Sequence, residues 1–557
     1  MKADLTRDTF HPLKHYARVL TQQGRVQLDA DMNEQAAILL RYLHVLAADL
    51  IGPAGGPYNN VGFAISPLTP APNPLDFQIG FGNYYVNGLL CQADFTPIAF
   101  FPTTTANVFQ VLNWSSDFEL NTIPYFEVFD ESQPSHMAIA VQVTNPQKAQ
   151  SQITVQPTVS GTSFSSFVNP KLRRVITYLH QPDFVFSTTS GAASPPPLPS
   201  GATTTTFLQI YLDVWERAIT YAEDDSIREV ALGGPDTAAR SKLVWQVKWT
   251  QATGVDQPLC GTPPPPAPRG WLQAMAKQSS PSTNPCIINP NGSYTGPENQ
   301  LYRVEINRGG TAGTTTGSSA TFKWSRENGS VIYPIASGGG TATIVVDSLG
   351  RDDRFGLKEG NLVEVQDDRS VLLNLPGNLL PVQAIDSTTM TVTLNGTPDA
   401  VLGSDKTLHP LLRRWDQSNG DPAEGGLMLD NDNAAFVQEG VWLTLEDGVQ
   451  IRFQPADPMQ SPPTTPPPPV NQYRTGDYWL IPARTATGDV EWPTVTDVQG
   501  NPETDAQGNI IPVALSPHGI THYYAPLAVI SVSANGVSVV SECRSSFNLG
   551  TSLLSSP

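Results

Sequence analysis

The chain has 557 residues and carries 51 Asp and Glu against 32 Lys and Arg, which gives a formal net charge of -19 at pH 7. This length predicts two to four domains with sizeable buried cores. Because the acidic balance comes with no basic tract, we do not expect nucleic acid or anionic membrane surfaces as partners.

The N-terminal residues are not expected to form a secretion signal. The stretch "MKADLTRDTFHPLKHYARVL" has a charged residue every few positions and lacks the apolar segment of a Sec signal peptide. No run of about 18 apolar residues occurs later in the chain, so no membrane-spanning helix is expected.

The first predicted element is one long helix, from about Asn33 to Leu50, ended by Gly52 and Pro53. Its apolar positions recur with the period of an α-helix and form a broad stripe, made of Ile38, Leu39, Tyr42, Leu43, Val45, Leu46 and Leu50. Five of these residues are the predicted interaction surface, namely Ile38, Leu39, Tyr42, Leu43 and Leu46.

Oxygen-bearing side chains crowd the start of this helix. Asp29, Asp31 and Asn33 match the first positions of a calcium-binding EF-hand loop, but Glu34 replaces the required Gly and Leu40 replaces the final Glu. The pattern therefore favours helix capping, with Asp31 at the N-cap and Glu34 completing a capping box.

Beyond the helix, alternating apolar runs joined by Asn-Gly or Asp-Gly predict tight hairpins. Four segments have this pattern: "NYYVNGLLCQ" (turn Asn87-Gly88), "FKWSRENGSVIYPI" (Asn328-Gly329), "VWLTLEDGVQIRF" (Asp447-Gly448) and "AVISVSANGVSVV" (Asn535-Gly536). Further strands are predicted in "HMAIAVQVTN", "FLQIYLDVWE", "LVWQVKW", "ATIVVD", "NLVEVQDD" and "MTVTLNG".

These elements predict a mainly β, multi-domain chain of antiparallel β-sandwich or barrel-like domains, with one N-terminal amphipathic helix and long Pro/Gly-rich loops. The abundance of Pro (51) and Gly (44) and the low charged fraction of 15% fit such an architecture. The predicted divisions are an attachment segment (1-60), a first β domain (61-250), a Pro-rich region (251-300), a second β domain (301-400) and a C-terminal β domain (401-557).

Three Pro-rich tracts, at 193-206, 261-270 and 461-470, are either linkers between domains or long surface loops. Cys260 and Cys286 flank the region of the second tract and could pair in an oxidising medium. The four cysteines contain no CxxC pair, so a zinc site is not expected.

No catalytic residue, cofactor site or metal site is predicted. The chain lacks GxSxG, Walker A, HExxH and a GxGxxG that follows a strand. His518 and His522 are four residues apart, but the intervening Gly519 argues against the helix that a metal pair would need.

The aromatic and acidic residues have structural interpretations. Most of the ten tryptophans lie in strand patterns and are expected in the core, while "WSREN" and "LRRWDQ" suggest ion-paired corners. The pairs Asp352/Asp353 and Asp367/Asp368 are expected in turns, not across a catalytic cleft.

Several long motifs resemble a family of uncharacterised proteins encoded beside phage-tail-like contractile injection systems. They are "DLTRDTFHPLKHYARVLTQQGRVQLDADMNEQAAILLRYLHVLAADLIGP", "YLDVWERAIT", "EVALGGPDTAARSKLVWQVK", "FKWSREN" and "HYYAPLAVI...SECRSSF", with Met32 where family members often carry Trp. The N-terminus is also similar to phage tail-fibre and baseplate attachment segments, through Gln23-Gly24-Arg25, Asp31 to Glu34, and Tyr84 to Gly88.

The resemblance implies a non-enzymatic structural component of such a particle, attached at or near the baseplate as a fibre, spacer or cage-like element. Its partners would be baseplate, sheath or fibre proteins, and the particle's symmetry would make it a homo-oligomer. Such particles are assembled in the cytoplasm without a Sec signal and are then released or anchored at a membrane.

Two alternatives remain open. A carbohydrate-binding adhesin or receptor-binding protein would contact a cell-surface glycan through Trp and Tyr side chains of the C-terminal β region. A tailspike-like polysaccharide-degrading enzyme would need an acidic cleft.

Overall fold

The computed structural model describes residues 1-69, 71-72, 74-115, 118, 125-133, 138-159, 161-185, 195-199, 205-252, 260-261, 269-277, 294-350, 352, 355-456, 470-506, 508-534 and 536-548. It confirms a mainly β chain with one long N-terminal helix, α1 (Asp29–Ile51). A second helix in the described ranges, α2 (Asp368–Leu372), has a single turn and a half.

The strands of the first half of the chain are β1 (Ala54–Pro57), β2 (Ile65–Pro67), β3 (Phe77–Ile79), β4 (Gly82–Val86), β5 (Leu89–Ala93), β6 (Ile98–Pro102), β7 (Val108–Val111), β8 (Tyr125–Asp130), β9 (Ile139–Gln147), β10 (Gln152–Pro157), β11 (Pro170–Arg174), β12 (Ile176–Thr177), β13 (Thr206–Ile219) and β14 (Arg240–Gln251).

The strands of the second half are β15 (Trp271–Ala276), β16 (Gln300–Arg308), β17 (Thr321–Ser325), β18 (Ile332–Ser337), β19 (Thr343–Val346), β20 (Leu362–Gln366), β21 (Asn378–Asp386), β22 (Thr391–Leu394), β23 (Leu411–Trp415), β24 (Ala435–Phe436), β25 (Leu443–Thr444), β26 (Val449–Gln454), β27 (Tyr478–Arg484), β28 (Asp489–Val490), β29 (Tyr523–Ser533), β30 (Gly536–Glu542) and β31 (Ser546–Phe547).

The chain divides into two compact units, each assembled from three chain segments. Unit 1 comprises Met1–Arg41, Trp215–Val244 and Pro264–Thr521, and unit 2 comprises Tyr42–Val214, Trp245–Pro263 and His522–Pro557. The five consecutive divisions predicted from the sequence do not correspond to these units. Strand pairs join segments hundreds of residues apart, as in Thr206↔Val532 of β13 and β29, and such pairing leaves no mark in local composition.

Unit 1 contains a closed six-stranded barrel in the order β18-β19-β22-β21-β20-β23, a five-stranded sheet, β24-β17-β16-β27-β28, and a three-stranded sheet, β15-β26-β25. Alternating apolar side chains of the barrel strands fill its interior, with Val363, Val392 and Leu412 completely buried. The two sheets share a second core that includes Phe322, Phe453 and Trp479.

Unit 2 contains the second closed six-stranded barrel, β10-β7-β6-β11-β8-β9, whose core includes Phe126, Val141 and Leu172. It also holds the sheet β31-β1-β4-β5 and the three-stranded sheet β12-β3-β2. A further four-stranded sheet has the order β14-β13-β29-β30, with β13 and β29 paired at its centre. Cys260 and Cys543 of this unit form a disulfide. Cys260 therefore does not pair with Cys286, which lies outside the described residues.

Three of the four predicted hairpins are confirmed. Registers Tyr84↔Cys91, Leu443↔Ile451 and Ser533↔Gly536 join β4 to β5, β25 to β26 and β29 to β30. The last turn contains Asn535, which lies outside the described residues.

The fourth predicted hairpin, at Asn328-Gly329, is wrong. Both residues have the expected positive φ, 55° and 64°. However, β17 pairs with β16 and β24, whereas β18 pairs with β19 and β23 of the barrel. An Asn-Gly turn fixes only the local chain direction, and longer-range pairing separates the two strands.

The segments "WSREN" and "LRRWDQ" form the expected ion-paired corner. Arg414 lies 3.0 Å from Glu327, and the Arg326 backbone N–H donates to Asp416 at 3.0 Å. The Asp416 N–H donates to the Trp324 carbonyl, so the corner ties β17 to the barrel strand β23. Charge-assisted hydrogen bonds of this kind are stronger than those between neutral groups.

Candidate interaction surface

The first residues of the chain are anchored in unit 1. Asn328, which is buried, donates from its side-chain amide to the carbonyls of Met1 and Ala3, each at 2.8 Å. The Lys2 ammonium lies 2.8 Å from a Glu305 carboxylate oxygen. Burial lowers the pKa of Lys2 to about 8, although Glu305 favours its charged form.

A buried charge network receives Lys2. Lys323 bridges Glu364 at 2.7 Å and Glu305 at 3.6 Å, while Arg303 donates to Glu305 at 2.6 Å. Burial opposes ionisation of Glu305, but Lys2, Arg303 and Lys323 together hold its pKa well below its usual range. The N-terminal residues are therefore part of the folded unit.

The structure begins α1 at Asp29, four residues before the predicted start. Asp31 consequently lies in the first helical turn and not at the N-cap, while Glu34 accepts a hydrogen bond from the Thr9 hydroxyl at 2.7 Å. Asp29 accepts from the Thr6 N–H and hydroxyl at 2.9 and 2.6 Å. Burial opposes ionisation of Asp29, but these bonds lower its pKa. Asp29 and Glu34 join the preceding segment to the positive end of the helix, and the predicted capping box from Asp31 to Glu34 is not formed.

The inward face of α1 consists mainly of small residues. Ala30 is buried, and Ala37, His44 and Ala48 are half-buried along the same side of the helix. At His44 the β4–β5 turn comes so close that a Cβ on Gly88 would overlap the His44 carbonyl. Glycine is required there because the turn also needs its φ of 81°.

The predicted interaction residues divide between the two faces. Ile38 is only 2% exposed, so it belongs to the inward-facing side and is removed from the predicted surface. Leu39, Tyr42, Leu43 and Leu46 are all more than half exposed. The helix thus presents its leucines to solvent, the reverse of an ordinary amphipathic surface helix.

The segment before α1, residues 11-28, also exposes large apolar side chains, and we call it the N-terminal arm. Leu13, Tyr16, Leu20 and Val26 of the arm are each more than half exposed. The Val19 N–H donates to the Gln35 side chain at 2.8 Å and joins the arm to the helix. Exposed apolar surface of this extent marks interaction sites on soluble proteins.

The two histidines considered as a metal pair have local structural roles. His518 accepts the Leu480 N–H at 3.2 Å in unit 1, whereas His522 lies 2.7 Å from Asp213 in unit 2. The structure thus gives them different partners. Within the described ranges, no three His, Cys, Asp or Glu side chains are placed to hold a metal ion.

The paired acids also have local partners. Asp367 caps α2 through Ser370, and Asp368 lies 2.7 Å from His409. Asp352 accepts the Phe355 N–H in a turn, while Asp353 lies outside the described residues. These acids accept hydrogen bonds from backbone N–H groups or contact a neighbouring histidine.

Tryptophans of the C-terminal half are largely in the core, as expected. Trp324, Trp415 and Trp479 are each at most 2% exposed, so these three cannot stack on a bound sugar. They contribute apolar burial and, through the indole N–H of Trp415, a hydrogen bond to Glu364 at 2.7 Å.

A cleft in unit 2 was not predicted from the sequence. It has a volume of about 520 Å³, and polar and aromatic side chains line it, among them Asp94, Asn113, Trp114, Arg174 and His180. Trp114 packs edge-on against Phe118, with ring centroids 5.4 Å apart. Its residues come from three separated chain segments, and no motif in the sequence connects them.

The described residues contain no helix that combines the length and the apolar composition needed to cross a membrane. No curated protein and no solved structure matches the chain. A family model described as "Family of unknown function (DUF6519)" matches residues 1-150, 181-261 and 267-554, which is most of the chain. The chain therefore belongs to this family of unknown function, DUF6519.

Proposed function

We propose that the chain is a structural component of a contractile injection system or related phage-tail-like particle. It is attached at or near the baseplate through protein contacts of its N-terminal arm and α1. One observation carries the attachment role: the outward leucines of α1, Leu39, Leu43 and Leu46, are all more than half exposed, as are large apolar residues of the arm. The particle itself is suggested by the sequence resemblance.

The anchoring of the chain's first residues supports this role. Lys2 is bound to Glu305 at 2.8 Å, and Thr6 is bound to Asp29 at 2.9 Å. The arm follows these anchored residues and therefore starts from a fixed position. A surface held in place loses less conformational entropy when a partner binds it than a free tail does.

The experiment is to purify the particles from cells that carry the gene and to identify the bound chains by mass spectrometry and by imaging with a labelled chain. We expect the chain at a fixed stoichiometry near the baseplate. A chain found only in the soluble fraction, with none in the particles, contradicts the proposal.

The cleft of unit 2 favours one alternative, a glycan-binding role. A volume of about 520 Å³ suits one or two sugar rings, and an indole beside side chains such as Asn113 and Arg174 is a common arrangement for sugars. Binding to a glycan array by the wild-type chain and its loss in Trp114→Ala would establish this role. Equal binding by both chains, or by neither, would remove it.

A further inference from the structure

The outer face of α1 carries an unbroken heptad repeat. Its members are exposed and follow one another at alternating intervals of four and three residues: Met32, Ala36, Leu39, Leu43, Leu46 and Leu50. This spacing is the a/d pattern of a coiled coil, in which the apolar side chains of one helix fit between those of another. We call these six residues the α1 seam.

Within the described part of the chain, the seam stays exposed. The body contacts the opposite side of the helix, where Ala30, Ala37, His44 and Ala48 lie. Small residues let the helix approach closely, as the contact between the His44 carbonyl and Gly88 shows. Apart from the buried Ile38 and the half-buried Ile51, the packing within the chain therefore leaves the larger apolar side chains of α1 facing outward.

The size of the exposed surface matches an interface. Together with the flanking Leu40 and Tyr42, the seam exposes on the order of 800 Å², about what one partner contributes to a stable protein–protein interface. Contiguous apolar patches of this size are uncommon on monomeric proteins.

We propose that the α1 seam pairs with the α1 seam of a second copy of this chain. The flanking e and g positions of the repeat are Asn33, Gln35, Leu40, Tyr42, Ala47 and Asp49, of which only Asp49 is charged. Coiled coils between different chains are commonly specified by opposite charges at these positions, and here identical helices meet with little repulsion. Among the described residues, α1 is also the only helix longer than five residues.

This inference rests on the proposed function and deepens it. It names a second copy of the chain as one partner of the same N-terminal surface. Pairing through α1 leaves the apolar side chains of the arm, including Leu13 and Leu20, for contact with other proteins of the particle.

Sedimentation equilibrium of the full chain, over a wide range of concentration, tests the pairing. We expect the wild-type mass to rise with concentration above the 60.0 kDa of one chain. Leu43→Glu places a carboxylate in the seam and should weaken self-association about 100-fold or more. Val45→Glu, which also replaces an exposed apolar residue of α1 but lies outside the seam, should associate like the wild type.

Circular dichroism checks that both variants remain folded. A wild-type mass of a single chain at every concentration overturns the inference, as does equal weakening by both variants. A chain that stays monomeric yet occurs in purified particles refutes the pairing alone. A chain that self-associates through Leu43 but is absent from particles refutes only the proposed function.

Discussion

At the scale of single residues, Lys323 is central to the anchor of the N-terminus. It is 3% exposed and lies between Glu305 and Glu364, with its ammonium 4.7 Å from the ring centre of Trp415. Glu305 keeps Lys2 and Arg303 when Lys323 is removed, but Glu364 loses the ammonium that lies 2.7 Å from its buried carboxylate.

We therefore expect Lys323→Met to lower the free energy of unfolding of unit 1 by about 3 kcal/mol or more, since breaking a buried ion pair leaves its partner unpaired. Urea unfolding followed by fluorescence of the buried tryptophans measures this change. Lys358→Met, at an exposed position, is the control and should change stability by less than about 0.5 kcal/mol. Equal stability of the two variants would contradict the role of the network.

Cys91 provides a second residue-scale prediction. Its thiol is completely buried, and burial raises its pKa to about 12, so almost no thiolate is present near neutral pH. Iodoacetamide at pH 8 should leave Cys91 unmodified in the folded chain and modify it after unfolding in guanidinium, as peptide mass spectrometry would show. Rapid modification of the folded chain would show that unit 2 opens at this strand.

At the scale of elements, local sequence rules predicted the turns and strands well, but they predicted less well which strands pair with each other. The turn at Asp447-Gly448 and the register Leu443↔Ile451 follow from the Asp-Gly signal and the alternating apolar residues around it. The same signal at Asn328-Gly329 gave a real turn but the wrong pairing, because the pairing partners of β17 and β18 lie elsewhere in the chain.

Helix α1 shows the same limit. The apolar period identified it, but the period does not tell which side of a helix meets the body. Ile38 and Leu39 are adjacent and both aliphatic, yet one is buried and the other is more than half exposed. Small residues at Ala30, Ala37 and Ala48 were the available signal, because a helix that packs closely on a sheet turn needs small side chains there.

The disulfide between Cys260 and Cys543 gives an element-scale prediction. It joins the segment after β14 to the segment after β30, 283 residues apart, and should contribute about 2–4 kcal/mol by restricting the unfolded chain. A reducing agent should therefore lower the melting temperature of the wild type but not that of Cys260→Ser. Cys286→Ser is the matched control and should keep the sensitivity to reduction. Loss of this sensitivity in Cys286→Ser would contradict the observed pairing.

This bond also bears on where the chain acts. Disulfides are rare in the reducing cytoplasm and persist in oxidising surroundings. If the chain is assembled in the cytoplasm, as the sequence resemblance implies, Cys260 and Cys543 are thiols during assembly and pair after the particle leaves the cell. Unit 2 would then be more stable outside the cell than inside it.

At the scale of the whole molecule, the sequence predicted the fold class but not the division into units. Composition and alternating runs indicate β structure wherever they occur, so antiparallel sheets and barrels could be expected. Both units, however, combine an early, a middle and a late segment, as when Gly56 of β1 pairs with Ser546 of β31. Pairing across such distances depends on tertiary packing that no local pattern records.

Only part of the candidate site was predicted, and the reason is the same. The apolar residues of α1 were identified from their period, whereas the contribution of the arm was missed. The arm has no regular period, because its exposed apolar residues Leu13, Tyr16, Leu20 and Val26 follow one another at intervals of three, four and six residues. Only the folded chain reveals that these residues are exposed like the leucines of the helix.

The central claim is that this N-terminal surface attaches the chain to a particle. The most direct test compares the amount of chain in purified particles for Leu20→Glu/Leu43→Glu, which alters the arm and the helix, and for Val168→Glu/Val498→Glu, which alters two exposed residues elsewhere. The claim predicts that the first variant is folded but at least about tenfold depleted from particles, since buried carboxylates disfavour both contacts, while the second is retained at the wild-type level. Wild-type incorporation of Leu20→Glu/Leu43→Glu would contradict it.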